Sequence, residues 1–166
     1  MNRWTLSLHE AGHGVAAHVL TGAPATATLH DAGGATWPSV DMTATDRAFM
    51  VAAGPLAESL ASRYPAPELP PAIARRPPTA ESIATTETAA ALRREIEHAI
   101  PDHVALARFC TSGVEDQPER WPQRHAWIRS VAQRLVRDHE QQIVEAARVL
   151  YLRGVVSVPL EERTAS

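Results

Sequence analysis

Apolar residues recur at helical spacing in two long stretches of this chain and alternate with polar ones in a third. From Thr45 to Tyr64, Phe49, Ala52, Ala53, Leu56 and Leu60 fall on one face, which predicts a helix. Pro55 lies inside it and predicts a kink or a split, because its ring removes a backbone hydrogen bond. Ile128, Val131, Leu135, Ile143, Ala146 and Leu150 form a second stripe, read as one long closing helix ended by Gly154. Thr5 to Leu20 reads as an opening helix with Ser7 as N-cap, stopped by Thr21-Gly22-Ala23-Pro24. Ala25 to His30 alternates and is threonine-rich. With the turn Asp31 to Gly34 and the run Ala35 to Val40 it predicts a β-hairpin whose second strand Pro38 confines to an edge.

Between these elements, Pro65 to Pro78 carries six prolines and reads as a loop. Ala80 to Ile100 has a helix-forming composition, Pro101 opens a short helix to about Cys110, and Gly113 to Pro122 is a polar loop. Val155 to Ser166 reads as a short extended piece and a frayed tail. The expected fold is mainly α with a minor β part (α+β): one helix-rich domain over 1–160 with one small hairpin, followed by a tail at 161–166.

Composition narrows the function classes. All 16 basic residues are arginine, and the net charge of -3 argues against a partner such as nucleic acid or an anionic membrane surface. A single cysteine, Cys110, excludes a disulfide framework and a cysteine-based zinc cluster, and reads as a buried small hydrophobe. No apolar run reaches the roughly 20 residues of a membrane span, and no signal sequence is visible, so no membrane insertion and a cytoplasmic location are expected.

His9-Glu10-Ala11-Gly12-His13 matches H-E-x-x-H on the opening helix. Histidines four apart project about 40° from each other round a helix, so both reach one cation. Neutral imidazole suits zinc, and a third protein ligand still leaves a position for water. Glu10 lies about 100° round from His9, where it can accept a proton from the attacking water and later hand it to a leaving amine. Chance alone supplies roughly 0.03 such matches in a chain of this composition. A competing local role exists for Glu10, because Ser7-Leu8-His9-Glu10 also reads as a capping box.

The wider string Leu8-His-Glu-Ala-Gly-His-Gly-Val-Ala-Ala17 resembles the zinc helix of the FtsH-type zinc metalloproteases, the peptidase part of membrane-anchored AAA+ proteases. The threonine-rich strand and glycine turn follow, and Ala52-Ala-Gly-Pro-Leu-Ala-Glu58-Ser-Leu60 is similar to that family's small-residue helix. The likeness runs from Leu8 to about Pro159 and is strongest in the first 60 residues. It implies a zinc metallopeptidase-like domain acting on polypeptides, with His9 and His13 as zinc ligands and Glu10 as general base. That family's third ligand is an aspartate followed by alanines on a later helix. The matching place, Thr85 to Ala90, implies Glu87 as the third ligand, a departure by one methylene; Glu81, Glu95 and Asp102 stay open as rivals. The position of the hairpin makes Ala25 to His30 the expected strand edge for an extended peptide.

No P-loop and no membrane segment accompany these motifs, so the implied peptidase would work with a separate unfoldase or as a homo-oligomer. The alternative is a catalytically inactive, peptidase-like binding or regulatory module. Glu10-x-x-His13 and Glu95-x-x-His98 also share the spacing of di-iron bundles, but the hairpin and the prolines leave little room for two more long helices. His18, His30 and His139 are expected in packing or surface roles, and Glu58 in a structural one beside a helix end.

Overall fold

The computed structural model describes residues 1–30, 33–68 and 101–160. Among these the chain is mainly helical with one small antiparallel sheet. The elements are α1 (Arg3–Thr21), β1 (Ala25–His30), β2 (Gly33–Pro38), α2 (Ala44–Ala57), a 3-10 turn (Glu58–Ser62), α3 (Asp102–Thr111), a 3-10 turn (Pro118–Arg120), α4 (Trp121–Asp138), α5 (Glu140–Arg153) and β3 (Val155–Val158). The helix expected over Ala80 to Ile100 and the tail at 161–166 lie outside the described residues. No helix among the described residues is long and apolar enough to cross a membrane.

α1 is the axis of the fold. Asn2, not Ser7, is its N-cap, and the Asn2 side chain accepts from the Thr5 amide at 2.8 Å. The helix therefore starts earlier than expected, Ser7 lies inside it donating to the Arg3 carbonyl, and the capping box is not formed. Eleven of its residues, from Trp4 to Ala17, are buried on several faces, because α2, α5 and the sheet surround it. Leu8 and Val15 pack with Leu60, Ile143, Leu150, Val156 and Val158. Each such fully buried side chain contributes about 1.5–3 kcal/mol. A second cluster, Phe49, Ala52, Cys110, Ile128 and Ala132, ties α2 to α3 and α4.

The hairpin forms with β2 at an edge as expected, but β2 runs from Gly33 to Pro38, so Gly33 and Gly34, expected in the turn, lie in the strand, and Ser39 and Val40 lie outside it. The C-terminal extended piece is a strand: β3 pairs with β1, giving the order β2-β1-β3. β1 is therefore central, and the expectation that it offers an edge to a peptide is corrected. Gly154, at φ 78, closes α5 and turns the chain back so that its carbonyl accepts from the Leu29 amide. Alternation puts Ala25, Ala27 and Leu29 on the face turned to α1, with their partners Val158 and Val156 on one side and Pro38, Thr36 and Gly34 on the other.

Two helical expectations are also corrected. The closing stripe spans two helices, because the chain leaves helical geometry at His139 (φ -117, ψ 21) before α5 begins. α2 continues through Pro55 to Ala57, so the proline does not split it there, and a 3-10 turn follows from Glu58.

Candidate metal centre

His9 and His13 sit one turn apart in the middle of α1, and their rings meet edge to face with centroids 4.6 Å apart. Their Nε2 atoms are 3.0 Å apart. Asp102, the first residue of α3, brings Oδ2 to 2.9 Å from His9 Nε2 and 3.1 Å from His13 Nε2. The packing of α2 against α3 fixes this approach, since Leu106, Phe109 and Cys110 sit on Phe49 and Ala52. Glu87, Glu81 and Glu95 lie outside the described residues; the rival that the fold brings to the histidines is Asp102.

The outer ring nitrogens determine which atoms face inward. His9 Nδ1 is 2.7 Å from Glu58 Oε1, and His13 Nδ1 is 2.8 Å from the Met50 carbonyl. Both partners are acceptors, so each Nδ1 carries a hydrogen and each Nε2 is turned to the cluster. A carboxylate or carbonyl behind a ligating histidine is the usual device that orients the ring and raises its basicity. Glu58 thus has a role beyond the helix-end contact expected of it. The signal that could have shown this is its place at the end of the small-residue helix that faces the histidines.

His13 lies flat against α2. A Cβ built on Gly54 would fall 2.3–2.8 Å from three atoms of the His13 ring, so no side chain fits there. Ala53 and Ala57 meet Gly12 in the same interface. Ala53, Gly54 and Ala57 therefore let the helix carrying the histidines come close.

Glu10 is 5% exposed and points to β2. Its Oε2 accepts from Thr36 Oγ1 at 2.9 Å, and its carboxylate lies against the α-carbon of Gly34, where a Cβ would come within 2.4–2.7 Å. Gly34 and Thr36 are two apart in a strand, so one face of β2 holds the carboxylate.

Charge in the cluster is strongly coupled. Burial works against a charged His9, but the Asp102 and Glu58 carboxylates, helped by Glu10, outweigh it and raise its pKa to about 9. Burial likewise works against Asp102 as an anion, and hydrogen bonds from His13 and His9 outweigh that and hold it well below the usual carboxylate range. These are the surroundings that favour a cation at the centre.

His9, His13 and Asp102 could hold a metal ion, since each offers one ligand atom within 4.8 Å of the others. Ligands about 2.0–2.1 Å from a tetrahedral ion lie about 3.3 Å apart, close to the separations found here. The donor set fits, with two imidazole nitrogens, one carboxylate oxygen and a carboxylate behind one imidazole. Glu58→Ala is expected to weaken metal binding about 10–100-fold, read by competition with a chromogenic chelator; unchanged affinity would remove Glu58 from this role.

The remaining candidates have structural roles. His18 Nδ1 donates to the Ala23 carbonyl after the helix end. His139 Nδ1 lies 3.2 Å from Gln142 Oε1, and Cys110 is buried. The di-iron pair needs Glu95 and His98, which lie outside the described residues. Comparison with known protein families, with curated proteins and with solved structures finds no match for this chain.

Proposed function

We propose that this chain is a zinc-dependent peptidase in which His9, His13 and Asp102 hold the ion and Glu10 is the general base. The observation that carries the proposal is the convergence of His9 Nε2, His13 Nε2 and Asp102 Oδ2, with a buried carboxylate on the residue next to His9. A bound zinc ion supplies Lewis-acid polarisation of the scissile carbonyl and an activated water near pH 7.

The chain's own residues do the rest. Glu58 and the Met50 carbonyl keep both imidazoles in the tautomer that presents Nε2. Thr36 holds Oε2 of Glu10, which leaves Oε1 to take a proton from the attacking water and pass it to the leaving nitrogen. An extended peptide finds its backbone partner along β2, the edge strand whose Gly34 and Thr36 flank Glu10.

The experiment is hydrolysis of casein by the purified chain, before and after stripping with a chelator and after return of zinc. Cleavage that disappears on stripping and returns with zinc is expected. A fully zinc-loaded chain that leaves casein intact would favour the inactive binding module instead.

A further inference from the structure

A groove of about 260 Å³ runs between α2 and α3, and its lining shares no residue with His9, His13 and Asp102. Ala48, Val51, Ala105 and Phe109 give it an apolar floor, and Arg47 and Arg108 stand at its rim. We propose that this groove binds the C-terminal carboxylate of an apolar peptide, with Arg47 and Arg108 as the anion-binding pair.

Charge is the first support. Among the described residues, no acidic side chain lines the groove, and neither Arg47 nor Arg108 is paired with a carboxylate. Arg124, with its guanidinium 5.0 Å from the Phe109 ring centroid, adds a third positive charge at the same end. Asp46, beside Arg47 in sequence, accepts from the Thr43 hydroxyl, and Glu115 accepts from the Gly113 amide; neither forms an ion pair with Arg47 or Arg108. Helix electrostatics explain only one of the pair. Arg108 is in the last turn of α3, where a cation is favoured, whereas Arg47 lies near the N-terminus of α2, where it is not. Two guanidinium forks over an apolar floor match a carboxylate on an apolar chain.

Reach is the second support. Arg108 is six residues along α3 from Asp102, about 9 Å of helix rise. An extended peptide covers that in two or three residues at roughly 3.3 Å each. Arg108 and Asp102 also stand about 120° apart round the helix, so a chain end held at the arginines would bring a bond at least three residues upstream towards the metal centre. The choice of a peptide as occupant rests on the peptidase reading; the anion site itself does not.

The test is fluorescence anisotropy with the full chain, stripped of metal so that the cation cannot hold the carboxylate. The probe is a fluorescein-tagged tetrapeptide of alternating alanine and leucine, as free acid and as C-terminal amide. The acid is expected to bind about tenfold more tightly than the amide, with the preference lost in the Arg47→Gln/Arg108→Gln variant. Equal binding of acid and amide, a preference that survives in the variant, or no binding of the acid at about 1 mM would overturn the proposal. Octanoate displacing the probe as well as the untagged peptide does would overturn the peptide as occupant. Hydrolysis plays no part in this readout, so an inert chain that keeps the acid preference sinks the peptidase reading and leaves the groove standing.

Discussion

Glu10→Gln is expected to lower peptide hydrolysis by about 10²–10⁴-fold while zinc content stays unchanged. Glutamine keeps the size of the side chain and an oxygen for the Thr36 hydroxyl, so the cradle of Gly34 and Thr36 is preserved. On the proposed mechanism, what is lost is the basic oxygen that would take the proton. Glu10 is not one of the three residues that could hold a metal ion, so the substitution is expected to leave metal binding intact. Parallel measurement of turnover and bound zinc separates the two effects. Activity equal to that of the unaltered chain would remove Glu10 from the chemistry. Loss of activity together with metal would make it part of the metal cage.

Gly54→Ala is expected to be the most damaging single-methyl addition near the centre. The new Cβ would sit 2.3 Å from His13 Cε1 and 2.5 Å from His13 Nε2. Neither side yields easily, because the ring is held by the Met50 carbonyl on the same helix and α1 is packed against α2. Overpacking of this kind costs about 1–3 kcal/mol, and here it also pushes Nε2 away from Asp102. Thermal melting should show the destabilisation, and chelator competition should show loss of metal affinity beyond that of an exposed helix-surface change such as Gln133→Ala. A Gly54→Ala chain with unchanged melting and unchanged metal affinity would contradict the close packing of these helices.

The parts of the site that were legible in the sequence are those in which chemistry follows local spacing. The two histidines and Glu10 are one helical turn, and the small residues around Gly54 are one helix face, so periodicity alone brings each set together. Asp102 carries no such signal. It is a carboxylate after a proline, 89 residues from His13, and only the packing of Cys110 and Phe109 on α2 brings it to the rings. Glu58 was visible as a residue of the small-residue helix, but its contact with His9 joins residues 49 apart in the chain, which no local spacing reveals.

The same divide runs through the fold. The hairpin and the stop at Gly22 are local and were readable. β3 was not, because its pairing joins Ala25 to Val158 across most of the chain, and that pairing is what moves β1 from the edge to the centre. Ser7-x-x-Glu10 satisfied a capping pattern, yet the helix begins at Asn2, whose side chain competes for the same role five residues earlier. The break at His139 has neither glycine nor proline to mark it, and the apolar stripe continues on both sides.

Elemental analysis of the purified chain beside its Asp102→Ala and Glu87→Ala variants tests the central claim most directly. The account predicts about one zinc per chain for the unaltered protein and for Glu87→Ala, and almost none for Asp102→Ala. A metal-free unaltered chain, or zinc kept by Asp102→Ala and lost from Glu87→Ala, would contradict it.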